Sequence, residues 1–182
     1  MFRDQSLMPK EAVRLAALGL LARAPMSYAR LADEVRNFTT RYWGPTLDVM
    51  AASIELLRFE GLVETAAEGE KLGEAVLRLT DKGRAELTEL LRAAVRAPAN
   101  DFNKLVVALK LRFLHLLPPG ERREQAEALV EMREGQLARL RDLRQAHAGE
   151  GGPFARWLDH DIAQTEADVA WFRRLRDEPE RD

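Results

Sequence analysis

Apolar residues recur at the helical spacing i, i+3, i+4 in three short segments at the start of the chain. Proline is tolerated in the first turn of a helix, and the residue before a proline is driven out of the helical region. The predicted helices run from Pro9 to just before Ala24, from Tyr28 with Ser27 as its cap to about Phe38, and from the cap Thr46 to Gly61.

The pattern then changes from helical to strand-like. Residues 62–65 and 75–80 are short runs typical of β-strands, and the polar, glycine-containing stretch 66–74 between them indicates a hairpin with a long tip. Asp81 is predicted to cap a fourth helix that ends near Arg96. Three helices and a two-stranded hairpin within the first hundred residues have the layout of a winged helix-turn-helix.

The second half of the chain is predicted to be helical. An apolar helix over 101–117 is stopped by Pro118-Pro119-Gly120, and two long helices follow over 121–147 and 153–177. Their apolar seams are narrow, and the glycine-rich loop 148–152 is short, which indicates an antiparallel hairpin. Such a hairpin exposes apolar surface that a second copy of the chain would cover.

These elements predict a mainly α-helical protein of two domains. Residues 1–97 are expected to form a winged helix-turn-helix domain with a two-stranded wing, and residues 98–182 a C-terminal antiparallel helical dimerisation arm. The length of 182 residues allows one or two compact domains, and 46% hydrophobic residues supply a packed core.

The composition of the chain limits the cellular compartment expected for the protein and the chemistry that its side chains can perform. The chain has no cysteine, which excludes disulfides and thiolate chemistry and indicates a reducing compartment, the cytoplasm. Residues 15–22 after Arg3 and Lys10 resemble a signal peptide, but Glu11 and Arg14 interrupt them and their apolar positions repeat at helical spacing. No other apolar run approaches the ~20 residues of a membrane span, so no membrane partner is expected.

Six short stretches carry a family likeness along nearly the whole chain. They are AALGLLARAP at 16–25, Trp43-Gly44, LRFEGLVE at 57–64, LTDKGRAEL at 79–87, LRFLHLLPP at 111–119 and DVAWF at 168–172. The chain resembles PadR-like winged-helix transcriptional regulators, in the subgroup whose C-terminal helical arm is called the virulence-activator-like domain. This resemblance implies a homodimer that binds double-stranded operator DNA as a repressor, and some relatives bind flat aromatic effectors between subunits.

Two positions depart from the family's pattern. The family often has Gly-Tyr at the start of helix two, where this chain has Tyr28-Ala29. It also often has Tyr-Pro inside helix three, where this chain has Ala51-Ala52. That tyrosine commonly lies at the DNA-facing surface, so its contact does not carry over to Ala51.

A winged helix reads base edges through helix three and is held on phosphates by surrounding donors. The outward positions of helix three are Asp48, Val49, Ala52, Ser53, Glu55 and Arg58. This set has one cation and no Asn or Gln to pair with adenine. The further DNA contacts expected around it are Tyr28, Arg30, Arg36, Asn37, Thr39, Thr40, Arg41, Tyr42, Thr46, Lys71 and Arg78. Arg41 and Tyr42 are the strongest candidates because they adjoin helix three.

Tryptophans supply a second kind of candidate. Trp43 precedes a Gly-Pro turn and is expected to anchor the core. Trp157 and Trp171 lie where a dimer pocket or a pocket for a small aromatic effector could form, and aromatic packing within the arm is the alternative.

Residues for catalysis or metal binding are not found in a usable pattern. His115, His147 and His160 lie in separate segments without a partner histidine at i+4, so no metal site is expected. No serine lies in a nucleophile elbow, and the glycines of 149–152 lack the lysine and strand of a phosphate loop. The sequence therefore predicts neither an enzyme nor a cofactor.

The distribution of charge sets the expected strength of DNA binding. Residues 1–60 hold 8 Lys+Arg and 7 Asp+Glu, and residues 61–182 hold 20 and 23. A nearly neutral DNA-facing segment implies modest non-specific affinity and a dependence on dimerisation. We therefore expect a sequence-specific DNA-binding transcriptional regulator that acts as a homodimer. A protein-interaction module or a small-molecule sensor with weak or lost operator binding stays open as an alternative.

Overall fold

A computed structural model of the chain describes residues 6–43, 48–67, 73–96 and 100–178, with the side chains of all of these except 42–43 and 48–53. The chain forms two compact units. We call them the winged unit, Met1–Ala94 with Pro98–Leu117, and the arm, Val95–Ala97 with Pro118–Asp182.

The described elements are mainly helical, and they confirm the predicted fold class. In chain order they are α1 (Pro9–Arg23), β1 (Met26–Ser27), α2 (Tyr28–Trp43), α3 (Asp48–Phe59), β2 (Val63–Ala67), β3 (Val76–Leu79), α4 (Asp81–Arg92), α5 (Asp101–Phe113), a 3-10 turn (Leu114–Leu116), α6 (Pro119–Ala146) and α7 (Pro153–Asp177).

The wing contains one more strand than the sequence predicted. Strands β2 and β3 form the expected antiparallel hairpin, and β1 pairs with the other edge of β3 through Met26↔Leu77 and Ser27↔Val76. Because β1 has only two residues, it shows no alternation that a sequence pattern could reveal. Ser27 nevertheless acts as the predicted cap, since its Oγ accepts a hydrogen bond from Arg30 N at 3.3 Å.

Helix α2 is longer than predicted and continues from Phe38 to Trp43. Two threonines in this extension hydrogen-bond to the backbone of the helix. Thr39 Oγ1 donates to the carbonyl of Val35 at 2.9 Å, and Thr40 Oγ1 donates to that of Arg36 at 2.8 Å.

Two backbone devices join α3, the wing and α4. Gly61 has φ 72°, and the hydrogen bonds Gly61 N to Arg58 O and Leu62 N to Leu57 O complete a Schellman end to α3, as predicted. The predicted cap Asp81 is wrong, because Thr80 Oγ1 accepts from Gly83 N at 3.0 Å and Asp81 lies within the first turn.

Helix α5 belongs to the winged unit, although the sequence placed it at the start of the arm. The ring of Phe113 is fully buried against Gly19 of α1, where an added Cβ would lie 2.6 Å from a ring carbon. The guanidinium of Arg112 also lies 4.5 Å from the ring centre of Phe38 in α2. The two units therefore divide after Leu117 rather than at residue 97.

Lys110 of α5 is a buried cation that the sequence pattern did not reveal. It is 2% exposed, and its Nζ donates to the carbonyl of Leu91 at 2.7 Å and to that of Ala93 at the end of α4. Burial lowers the pKa of Lys110 to about 8.

The arm is a hairpin of α6 and α7, as predicted. Its buried side chains are Ala126, Leu129, Val130, Leu137, Ala155, Leu158, Thr165, Val169 and Phe172. Leu143, near the end of α6, is 40% exposed. The seam is therefore narrow, and on α7 it continues to Ala155, close to the loop.

Candidate nucleic-acid interface

Helix α2 carries most of the predicted donors, and several of them lie on its outer face. Leu31 and Val35 are fully buried and fix the inner face of the helix. Arg30, Asn37 and Arg41 are exposed, and their spacing places them on the opposite side. This face can therefore present several donors to phosphates at once.

Thr39 is a correction to the predicted contacts. It is 4% exposed, and its hydroxyl donates to the carbonyls of Val35 and Arg36. A side chain buried in this way cannot reach a phosphate, so we remove it from the candidate set. Thr40 remains half-exposed, with its hydroxyl donating to the helix backbone.

Helix α3 is fixed against the core by Ile54 and Leu57, which are 0% and 1% exposed. Among the predicted outward positions, Glu55 and Arg58 are exposed and their charged atoms lie 3.7 Å apart. Leu56 and Phe59 are also exposed, at 50% and 89%, and were not among the predicted contacts. Both lie off the buried stripe of Ile54 and Leu57, so the helical spacing is consistent with their exposure.

The start of α2 lies beside both α3 and the wing. Tyr28 N donates to the carbonyl of Ala75 and Ala29 N to that of Gly73, each at 3.0 Å. Burial, and secondarily the charge of Glu55, raise the pKa of Tyr28. Tyr28 is therefore half-buried within electrostatic reach of α3.

Arg78 projects from the outer face of the wing. Its neighbours Leu77 and Leu79 are buried, so the alternation of β3 turns Arg78 toward solvent. Arg78 Nε donates to Glu64 Oε1 on β2 at 2.6 Å, and these two residues are directly opposite in the strand register.

Several predicted contacts cannot be placed. Thr46 and Lys71 lie outside the described residues. The backbone positions of Tyr42, Asp48, Val49, Ala52 and Ser53 lie within α2 and α3, but their side chains, like that of Trp43, are not described. The structure thus brings α2, the end of α3 and the wing together and leaves the first half of α3 as a prediction.

The arm tryptophans do not pack in the seam of the hairpin. Trp157 is 56% exposed and Trp171 is 45% exposed. Phe154, itself 42% exposed, stacks on Trp157 with ring centres 6.3 Å apart, and His147 meets Phe154 edge-on. Trp171 meets the buried Phe172 edge-on, with ring centres 5.0 Å apart, so the aromatic packing alternative describes contacts of both tryptophans.

The described ranges contain neither a metal-binding cluster nor a membrane-spanning helix. No group of three or more His, Cys, Asp or Glu side chains there is arranged to hold a metal ion. No described helix combines the length and hydropathy needed to cross a membrane.

A three-strand wing behind α2 and α3 defines a winged helix-turn-helix protein. The family model described as "Putative AphA-like transcriptional regulator" matches residues 2–176. The chain therefore belongs to the AphA-like family of transcriptional regulators, which is not a family of enzymes. This match agrees with the regulator class expected from the sequence.

Similar solved structures share low sequence identity with the chain. Bacillus subtilis PadR is 18% identical with a TM-score of 0.41, covering 96% of this chain and 99% of that chain. The same protein in complex with operator DNA is 21% identical with a TM-score of 0.39, covering 90% and 96%. The protein smu.1604c from Streptococcus mutans UA159 is 17% identical with a TM-score of 0.40, covering 94% and 100%. No curated protein matches the sequence significantly.

Proposed function

We propose that the protein regulates transcription in the cytoplasm by binding double-stranded operator DNA as a homodimer. In this proposal α3 enters the major groove, while α2 and the wing contact the flanking phosphates. The observation that supports it most strongly is the set of exposed arginines on the three elements that a winged helix turns toward DNA. These are Arg30, Arg36, Arg41, Arg58 and Arg78.

A selection experiment tests DNA recognition without knowledge of the operator. The full-length protein is incubated with a pool of random duplexes of roughly 30 base pairs, and bound duplexes are amplified and sequenced. We expect enrichment of an inverted repeat with half-sites about 34 Å apart, or a multiple of it. Failure to enrich any sequence, with binding that is also insensitive to salt, would overturn the proposal.

Dimerisation is proposed through the arm, because the arm exposes apolar side chains that one hairpin leaves uncovered. Phe154 and Trp157 form an exposed stack, and Trp171 lies about 21 Å further along the same side of α7 at 1.5 Å per residue. We expect Trp157→Ser to convert a dimer to a monomer in sedimentation analysis, whereas the exposed Arg139→Ala in α6 leaves the dimer intact. A dimer that survives Trp157→Ser and Trp171→Ser together would place the interface elsewhere.

We extend the same proposal to repression of transcription and to the release of DNA when an effector binds. Binding over a promoter would block transcription, and a flat aromatic ligand held near Trp157 or Trp171 between subunits would weaken DNA binding. Tryptophan fluorescence of the dimer, titrated with small aromatic acids, tests the ligand. Quenching that also raises the Kd for the selected duplex supports an effector, and quenching without that change argues against one.

A protein-interaction module is the second candidate, favoured by the exposed Leu56 and Phe59 at the end of α3. Two double variants distinguish DNA binding from protein binding. Arg41→Ala with Arg58→Ala should abolish regulation if DNA is the partner, whereas Leu56→Ser with Phe59→Ser should abolish it if a protein is bound there.

A further inference from the structure

We propose that three carboxylates, Asp33, Glu55 and Glu64, weaken DNA binding by holding arginines of the DNA-binding surface in ion pairs that a phosphate must displace. The pairs would lower the affinity for any duplex, the operator included. This inference rests on the proposed function of DNA binding. It concerns how strongly the surface binds DNA and leaves open which sequence it reads.

The geometry is repeated on all three elements of the surface. On α2, Arg36 NH1 lies 2.9 Å from Asp33 Oδ1. On α3, Arg58 NH1 lies 3.7 Å from Glu55 Oε2. On the wing, Arg78 Nε lies 2.6 Å from Glu64 Oε1 across the strand pair. The paired arginines of α2, α3 and the wing each have a competing anion from the protein itself.

Solvent exposure makes these pairs exchangeable. Arg36 and Asp33 are 48% and 66% exposed, and the other two pairs have similar values. Exposed pairs of this kind are weak and screened by water, so a phosphate can displace the carboxylate. Arg14 contrasts with them, since its side chain is 23% exposed and held by both Glu60 and Glu86, as expected for a structural triad.

The displaced carboxylate still lowers the affinity of the protein for DNA. An arginine that arrives already paired releases less counterion on meeting a phosphate, and the nearby anion repels the DNA backbone. Non-specific binding depends almost entirely on such phosphate contacts, whereas operator binding adds contacts to base edges. Both complexes make the phosphate contacts, so the three carboxylates lower the affinity for random and operator duplexes by a similar factor.

Two arginines of α2 provide an internal contrast. Arg30 and Arg41 are exposed, and neither forms an ion pair within the described residues. They can meet phosphates without first losing a partner. We therefore expect the carboxylates to adjust affinity rather than to block binding.

The test compares Asp33→Asn, Glu55→Gln and Glu64→Gln with a matched control, Glu89→Gln on α4. Glu89 pairs with Arg92 at i, i+3 and 2.8 Å, with side chains 69% and 46% exposed, so the control removes the same charge from the same kind of pair. Fluorescence anisotropy gives the Kd for a random duplex and for the selected duplex between roughly 50 and 200 mM salt.

We expect Asp33→Asn and Glu64→Gln each to tighten binding of the random duplex about threefold and to steepen its salt dependence. The selected duplex should gain by a similar factor, and Glu55→Gln should have the smallest effect because its pair is the longest. Glu89→Gln should change neither Kd. Equal gains in the control, or no gain in any variant while the wild type binds, would overturn the inference.

A double-mutant cycle tests whether the carboxylate acts through its arginine. In an Arg78→Ala background, Glu64→Gln should give a smaller gain, because only the repulsion between the carboxylate and the DNA remains. A full gain there would show that the ion pair has no part in the effect and would contradict the proposed role. If neither the wild type nor any variant binds either duplex, the proposed DNA-binding function itself fails.

Discussion

The winged unit and the arm bury apolar residues to very different extents. Helix α1 has nine buried residues among 15, whereas α6 has four among 28 and α7 has five among 25. The winged unit is therefore held by a core shared among several helices and a sheet, and the arm by a narrow seam along one pair of helices. Two highly charged helices can therefore form a defined hairpin without the broad apolar core that the winged unit has.

Ion pairs across the hairpin partly replace that core. Five pairs join the two helices of the arm, namely Glu127–Arg176, Arg133–Asp168, Glu134–Arg173, Arg141–Glu166 and Arg144–Asp159. As residue numbers rise along α6 they generally fall along α7, which establishes an antiparallel pairing. In two of these pairs both side chains are exposed, and in the other three the arginine is partly buried, at 16–28% exposure. The exposed pairs each add little to stability, and together the five favour one register.

The largest expected effect is a methyl group added where the winged unit is tightest. In Gly83→Ala the new Cβ would lie 2.0 Å from the carbonyl oxygen of Leu62, a backbone atom. We expect a loss of about 3 kcal/mol in the free energy of unfolding, measured by denaturant titration. A loss below about 0.5 kcal/mol would mean that α4 and the wing are not in such close contact.

A smaller effect is expected from the pH dependence of the buried Lys110. Its folded pKa of about 8 is below the ordinary value of 10.5, so the unfolded chain holds the proton more tightly. The penalty for the buried charge is present below pH 8 and is relieved as pH rises toward 10.5. Relative to Lys110→Met, the wild type should gain on the order of 1–3 kcal/mol across that range. If the free energies of unfolding of the wild type and Lys110→Met changed in parallel with pH, this result would contradict a lowered pKa.

Within the arm, removal of one partner of the pair Arg133–Asp168 should matter more than removal of both. Arg133 is 16% exposed in its side chain, and its Nε is buried with no hydrogen-bond partner among the described residues. Asp168→Ala should cost about 1–2 kcal/mol because it leaves this guanidinium poorly compensated. Arg133→Met with Asp168→Leu should come close to the wild type in thermal unfolding, and a larger loss in the double variant would contradict this account.

In the arm, a glycine-to-alanine change should raise the free energy of unfolding, whereas Gly83→Ala should lower it. Gly135 lies inside α6, and an added Cβ would meet only Arg139 NH1 at 3.7 Å, an ordinary contact. Gly135→Ala should therefore stabilise the protein by roughly 0.5–1 kcal/mol through helix propensity, measured as a higher midpoint of denaturant unfolding. Destabilisation there would indicate a close neighbour of α6 that the single chain does not contain.

The smallest effect is expected for an exposed pair of the hairpin. Arg141 and Glu166 are 58% and 47% exposed, so Arg141→Ala should change the free energy of unfolding by less than about 0.5 kcal/mol. A larger change would mean that the pair acts as part of a network, which a double-mutant cycle with Glu166→Ala would measure.

Sequence patterns predicted the elements better than their environments. Helices α1 and α7 and the end of α3 were identified because proline and glycine mark them. The extension of α2 beyond Phe38 was missed because the local hydrogen bonds of Thr39 and Thr40 can support either a loop or a helix. The location of α5 in the winged unit and the burial of Lys110 depend on contacts distant in sequence, which periodicity does not encode.

The central claim, that the winged unit carries the DNA-binding surface, is tested most directly by the salt dependence of DNA binding. The logarithm of the binding constant for the selected duplex is measured against the logarithm of salt concentration for the wild type, Arg41→Ala and Arg141→Ala. We expect Arg41→Ala to reduce the slope by about one per subunit, because it removes a phosphate contact, and Arg141→Ala to leave it unchanged. Equal slopes for the wild type and Arg41→Ala, or a reduced slope only for Arg141→Ala, would contradict the account.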